Sequence, residues 1–307
     1  MFGSPDRQKT RRRNAPRLQP RLEGLEGRVL LSTFRVNTTQ DSVAVNLQNG
    51  KDATGHISLR SAIMAANARG GSNKVLLPSG TILLQIAGPG EDAGATGDLD
   101  ISGNLTIRGQ GAASTVIDGN RLDRVFQVLG GKVSISGVTI QHGRVDGDVG
   151  GGILNSGGRL TLSSVSILDN LAMGDRGNDG AAGGAGSPNG GAGGNGGAGT
   201  PGQGGGVFNA AGSLSIIGST IASNQAIGGE GGNGGRGGDG QGANGGPGRN
   251  GALGTGGQGG AGGDGGAGQG GGLFNALGAN LTITATTIFS NLAHGGGAGG
   301  GGGGGLG

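Results

Sequence analysis

The side chains with chemical reach are few, and most are carboxylates. Asp98 and Asp100 stand two apart, the spacing that places both on one face of a strand. Asp118 sits in the turn-like segment IDGN, and Asp146 and Asp148 flank a loop beside His142. Paired acids can hold calcium or divide general-acid and general-base work between them. Asp-Gly and Gly-Asp steps are also ordinary turn chemistry, and we favour that reading. Asp98, Asp100 and Asp118 are therefore acidic candidates only, and no catalytic residue, cofactor or metal ligand is assigned.

The missing residue types narrow the chemistry further. The 307 residues include no cysteine, tryptophan or tyrosine, and three histidines. Thiol catalysis, cysteine zinc sites and a disulfide scaffold are excluded. No Trp or Tyr is present for sugar rings to stack on. GGRGGDGQG at 234–242 and GGAGGDGGA at 259–267 touch the calcium-binding nonapeptide pattern but lack its large apolar residue. The Gly-x-Gly-x-x-Gly strings sit in no strand-to-helix unit with an acidic partner downstream, so they do not read as phosphate loops.

Charge is segregated along the chain. The net charge is +3, yet residues 1–32 hold eight Lys/Arg against three Asp/Glu. The remaining residues carry fourteen basic and sixteen acidic side chains, so the body is close to neutral. A nucleic-acid-binding body is not expected, because phosphate contacts need clustered Lys/Arg and usually stacking aromatics. No run of 18 apolar residues exists, so no transmembrane span is expected.

Residues 1–32 read as a disordered basic leader with three prolines and no apolar periodicity. Its longest apolar run, Val29-Leu30-Leu31, is too short for an ordinary secretory signal. A basic nucleic-acid- or membrane-touching tail is the alternative. It predicts salt-sensitive binding that disappears when 1–32 is deleted. Thr33 to Val45 alternate weakly and predict an opening strand. ISLRSAIMAANA at 57–68 predicts a helix, with Ser58 as N-cap and Leu59, Ala62, Ile63 and Ala66 on one face. KVLLPSGTILLQI at 74–86 predicts two short strands broken at Pro78-Ser79-Gly80.

From Leu99 onward the signal is repetition. KVSISGVTIQHG (132–143), RLTLSSVSILDN (159–170), SLSIIGSTIASN (213–224) and NLTITATTIFSN (280–291) share one pattern. Each has an apolar pair two apart, a small polar turn, and a closing apolar residue: Ile140, Ile167, Ile221 or Ile288. This is the pattern of a stacked-strand solenoid. A second register, GGGILN, GGGVFN and GGGLFN, would align Asn155, Asn209 and Asn275, while Asn170, Asn224 and Asn291 would align at the repeat ends. Such ladders satisfy turn backbone groups and one another.

Three resemblances attach to these residues. LEGLEGRVLLS at 22–32 resembles the LEPLE-x-R-x-LLS element near the start of many planctomycete exported proteins, with Gly24 in the proline position, and implies export to the cell surface or exterior. Residues 33–101 resemble the CSLREA domain, with Leu59, Arg60, Ala62, Ile63, Ala66 and Asn67 matching its helix. Ile57 stands at its cysteine position and Ser61 at its acidic one. The repeats at 102–307 resemble right-handed parallel β-helix coils of the pectin-lyase-like superfamily, closest to those of polymorphic outer-membrane and adhesin-type proteins. That resemblance implies an all-β, right-handed parallel β-helix with a short N-terminal capping helix. Polyuronate-cleaving members of the superfamily use carboxylates with calcium, or paired acids, but no active-site motif of theirs is recognisable here.

Glycine-rich inserts interrupt the coils at 174–203 and 228–269, and a glycine tail follows at 295–307. The chain has 84 glycines, and those of the inserts recur every third residue, as from Gly174 to Gly186 and from Gly190 to Gly202. Three-residue periodicity is that of the polyproline-II helix, whose glycine side can lie against a neighbouring chain. Collagen is disfavoured, because the inserts hold only Pro188, Pro201 and Pro247. A flexible linker and a bundle of polyglycine-II strands remain open. Both inserts leave the coil at the same corner, and the slip at 187–189 is where a hairpin would turn.

The sequence thus predicts an exported, non-enzymatic, adhesin-like or structural surface protein, with surface polysaccharide or other envelope components as partners. A β-helical polysaccharide lyase or hydrolase acting on an acidic glycan is the rival. The final coil carries no capping element, which implies a longer relative, an assembly, or a tail that covers the open end.

Overall fold

The computed structural model describes residues 3, 32–88, 90–242 and 253–306. Most of the basic leader, including all but Ser32 of the export-type motif, lies outside the described residues, as does 243–252 of the second insert.

Alternation of inward Val, Ile and Leu with outward polar residues builds a parallel β-helix. Each repeat contributes one strand to each of several parallel sheets. The longest sheet stacks Ser32–Arg35, Ser72–Leu76, Asn104–Arg108, Lys132–Ser136, Arg159–Ser163, Ser213–Ile217 and Asn280–Thr284. A six-stranded sheet runs from Gly80–Leu83 to Thr287–Phe289, and a five-stranded one from Leu99–Ile101 to Leu273–Asn275. A four-stranded sheet, Arg144–Asp146 to Leu292–His294, leads into the inserts.

The repeats pair in the register that their patterns predict. Leu160 lies beside Val133 and Leu214, Leu162 beside Ile135 and Ile216, and Ile167 beside Ile140 and Ile221. These side chains are at most 1% exposed, so each coil buries its apolar set against the next. The corner before each closing asparagine, and before Gly143 in the first repeat, is left-handed, with φ of 53° at His142 and Asp169, 58° at Ser223 and 51° at Ser290. His142 is therefore one of a series of turn residues.

The helix Leu59–Arg69 starts at Ser58, whose hydroxyl accepts the Ser61 N–H, while the Ser61 hydroxyl accepts the Ser58 N–H. It buries Leu59, Ala62, Ile63, Ala65 and Ala66 against the first strands of the long and five-stranded sheets. The predicted strand from Thr33 to Val45 stops at Arg35. Beyond it the chain crosses to the helix by turns built around Asp52, whose carboxylate accepts from Ser42, Thr54 and His56.

The described residues of the glycine inserts form hydrogen-bonded strands. Residues 174–186 and 190–202 form a hairpin in which Gly191 donates to Gly184 O at 2.8 Å and Gly194 to Ala181 O at 2.7 Å. Segment 228–240 runs parallel to 174–186, with Gly177 donating to Glu230 O and Gly180 to Asn233 O. Residues 254–268 and 295–306 add two further strands, through bonds such as Gly193 to Gln258 O and Gly231 to Gly297 O. This is a five-stranded polyglycine-II bundle on the flank of the β-helix, and the linker reading fails for the described residues. Ordering glycine is entropically costly. Here each triplet gains interstrand hydrogen bonds that an isolated insert would lack.

Candidate functional site

Two polar regions occupy different flanks of the rod. The first gathers the acidic candidates. Asp98 and Asp100 bracket Leu99 at the start of the five-stranded sheet, and the loop 84–98 folds over them. Arg60 fixes that loop: its guanidinium donates to the carbonyls of Gly94, Gly97 and Asp98 and makes two bonds to Asp41. Asn67 clamps the strand behind it, donating to Asp100 O and accepting from the Ser102 N–H. Asp98 is 3% exposed and Asp100 is fully buried. The two acids flank Leu99, as their spacing predicts, but neither is open to solvent. The loop covers their face because Arg60 holds it there.

Arg124 lies among three of the acids. Its Nε is 3.0 Å from Asp98 Oδ2 and 3.9 Å from Asp123, and its Nη2 reaches Asp148. The Asp98 contact lies off the N–H axis, so Arg124 Nε and Asp98 Oδ2 are close neighbours without a hydrogen bond. Burial, with Asp100 adding repulsion, pushes Asp98 up to about 8 against the attraction of Arg124. Burial and Glu91 push Asp100 up to about 7, although its Oδ2 accepts the Gly94 N–H. Burial also raises Asp123. Beside them opens a cleft of about 590 Å³, lined by Glu91, Asp98, Asp123, Arg124, Arg144 and Asp148 among others. Raised acids beside a cleft are a recognised mark of functional sites, and also of structural ion networks.

Asp118 is separate from this group. Its carboxylate receives Gln141 Nε2 and His142 Nδ1, each at 2.9 Å, and the Asn120 N–H. Burial opposes the charge, but these donors hold the acid below its usual range. It fastens a turn. Among the described residues, no group of three His, Cys, Asp or Glu side chains could hold a metal ion.

The asparagines form two continuous lines. Asn155 donates to Asn209 Oδ1 at 2.7 Å, and Asn209 to Asn275 Oδ1 at 2.6 Å. Asn170 donates to Asn224 Oδ1 at 2.8 Å, and Asn224 to Asn291 Oδ1 at 2.9 Å. Asn170 Oδ1 also accepts the Gly143 N–H, so the line continues into the preceding corner.

The second region is the outer face of the long sheet. Its central row reads Thr33, Lys74, Thr106, Ser134, Thr161, Ser215 and Thr282, one residue per strand. Lys132 and Arg159 adjoin one another in the row on one side, and Arg35 and Arg108 stand in the row on the other. The seven strands contain no Asp or Glu. None of these five cations pairs with a carboxylate of the described residues. Three shallow grooves, of about 500, 480 and 280 Å³, open along this face. The sequence pattern hides this face because the cations lie in different repeats. The basic first position shared by KVSIS and RLTLS is its one signal there.

No family model matches the chain. No curated protein matches it either. Among solved structures, it is similar to "Crystal structure of pectate lyase Pel9A", with a TM-score of 0.28 and 18% identity over 64% of this chain and 56% of that chain. The chain therefore spans a little over half the length of that enzyme. The class is defined by the chain's own stacked sheets: a parallel β-helix solenoid carrying a lateral polyglycine-II bundle. No helix among the described residues is long and apolar enough to cross a membrane.

Proposed function

We propose that this is an exported, non-enzymatic surface protein, adhesin-like or structural, that holds acidic polysaccharide of the cell envelope along its long sheet. The observation that carries the reading is the carboxylate-free face bearing Arg35, Lys74, Arg108, Lys132 and Arg159 among hydroxyl side chains. Strands repeat about every 4.8 Å, so cations and hydroxyls recur at the spacing of a stacked sheet along a bound polymer. Each contact is weak in water, and affinity comes from their number. With no Trp or Tyr in the chain, hydroxyl and charge contacts take the place of ring stacking. The likeness of residues 22–32 to an export element supports an extracellular or cell-surface location.

The rival reading, a lyase or hydrolase acting on an acidic glycan, draws on Asp98 and Asp100, which keep protons near neutral pH beside a cleft. Incubation with pectate and alginate, with and without calcium, separates the two. The expected result is salt-sensitive retention of intact polymer, weakened by Lys132→Gln and Arg159→Gln. Depolymerisation abolished by Asp98→Ala or Asp100→Ala would replace this proposal with the enzymatic one.

A further inference from the structure

One kind of dipeptide recurs as a contact between strands of the glycine bundle. At Asn233-Gly234, Asn233 Oδ1 accepts the Gly300 N–H at 2.8 Å, and the Gly234 N–H donates to Gly300 O at 2.8 Å. Both backbone groups of one residue in the next strand are thus clamped by a side chain and the glycine that follows it. Asn195-Gly196 clamps Ala261 in the same way, at 3.0 and 2.9 Å, and Asn189-Gly190 clamps Thr255 at 3.3 and 2.9 Å. Aspartate serves equally. Asp179-Gly180 clamps Asn233 with two bonds of 2.7 Å, and Asp239-Gly240 clamps Leu306 at 2.9 and 2.8 Å.

Asn-Gly is also the dipeptide in which a chain most readily attacks itself. The glycine nitrogen, with no side chain beside it, closes on the asparagine Cγ. An N–C bond forms there, and the side-chain nitrogen leaves as ammonia, carrying the proton. Water then opens the five-membered imide at either carbonyl and gives aspartate or isoaspartate, with no change of oxidation state. The first step needs an ionised glycine nitrogen and an asparagine side chain folded back over it, a near-attack geometry. The clamp denies both. The N–H groups of Gly196 and Gly234 are committed to carbonyls of the next strand, and the exposed side chains of Asn195 and Asn233 are drawn to that strand, away from their own backbone.

We propose that Asn195 and Asn233 are latent deamidation sites, silent while the bundle is closed, and that their conversion to isoaspartate holds an opened bundle open. The two products differ in consequence. Aspartate keeps the acceptor, and Asp179 and Asp239 already fill this place with a carboxylate. Isoaspartate routes the backbone through the side-chain carbons, so the chain gains a methylene and the clamp loses its acceptor. Glycines that recur every third residue against neighbouring strands then fall out of step. The packing leaves no slack for that shift: a Cβ added at Gly235 or Gly238 would lie 1.9 or 2.0 Å from the carbonyl oxygens of Ala181 and Gly184. A transient opening thereby becomes a permanent one.

Incubation of the full chain at mildly alkaline pH, followed by site-resolved peptide mapping, tests the proposal. Asn195 and Asn233 should convert at least about tenfold more slowly in the native chain than in guanidinium chloride, as groups that react only through opening do. Gly235→Ala, which forces the strands apart, should speed both sites under native conditions. Gly303→Ala, whose added Cβ meets nothing within 4 Å, should speed neither. Ala261→Pro suits a polyproline-II strand but removes the N–H that Asn195 Oδ1 accepts, and it should speed Asn195 while Asn233 stays slow. After return to neutral pH, hydrogen exchange should find the bundle unprotected in copies that carry isoaspartate and protected in Asn233→Asp. Equal rates in the native and unfolded chain, an Asn195 rate indifferent to Ala261→Pro, or a bundle still protected around isoaspartate would each overturn it.

Discussion

Gly235 packs directly on Ala181: a Cβ added at Gly235 would lie 1.9 Å from the Ala181 carbonyl oxygen. That carbonyl already accepts the Gly194 N–H, and the Gly235 N–H donates to Gly194 O, so three strands meet at one point. Gly235→Ala forces them apart, and overpacking of this kind costs about 1–3 kcal/mol. Hydrogen exchange and limited proteolysis should show the bundle opened while the β-helix sheets stay protected. Gly303→Ala, with no atom within 4 Å of the added Cβ, is the matched control and should leave the bundle intact.

The Asn155–Asn209–Asn275 line sets a second expectation. Asn209 is fully buried and both donates and accepts within the line. Asn209→Leu removes the 2.7 Å acceptor of the Asn155 amide, which keeps the Gly158 and Ala211 carbonyls at 3.1 Å, and also the bonds Asn209 donates to Asn275 and to Asn280 O. Each hydrogen bond lost costs about 0.5–1.5 kcal/mol net. Urea unfolding should show a lower midpoint for Asn209→Leu than for Asn291→Leu, because Asn291 lies in the open last coil. Equal losses at both sites would mean that the ladder adds nothing beyond local turn propensity.

Solenoids are legible in sequence because stacking repeats the same inward positions, so Leu160, Leu214 and Leu281 align with one another on pattern alone. The asparagine lines are legible for the same reason. The inserts are half legible: the triplets give the strand period, but whether they order depends on hydrogen bonds between segments about fifty to seventy residues apart, such as Gly180 to Asn233. The acidic pair misleads because its accessibility is decided elsewhere, by Arg60 reaching the carbonyls of Gly94, Gly97 and Asp98. Nothing in the spacing of Asp98 and Asp100 encodes that cover.

Arg60 therefore makes a prediction of its own. It is fully buried, and its partner Asp41 is as well sheltered. Removing one member of a buried ion pair costs about 3–5 kcal/mol, because the other is left uncompensated. Arg60→Met should destabilise the protein by that order and release the loop 84–98. Arg60→Lys should recover little, since one ammonium cannot reproduce the five-bond fork. Proteolytic nicking between Gly88 and Gly97 in both variants, absent from the parent protein, is the readout.

Asp98 and Asp100 together fix the direction of the pH dependence. Their folded values of about 8 and about 7 lie above the ordinary 3.8, so the folded state keeps protons that the unfolded chain releases. Their favourable contribution is complete below about pH 4 and is lost as pH rises towards 8, by up to about 1.4 kcal/mol per proton per pH unit. The urea midpoint should accordingly fall between about pH 5 and about pH 8. Asp98→Asn and Asp100→Asn hold the neutral form permanently and should flatten that fall, Asp98→Asn over the wider range because its value is the higher. Arg124 keeps Asp123 and Asp148 as partners in the Asp98 variant, so the change does not strand a buried cation. A parent midpoint that is flat or rises across this window would show instead that Arg124 neutralises Asp98 as a charged pair.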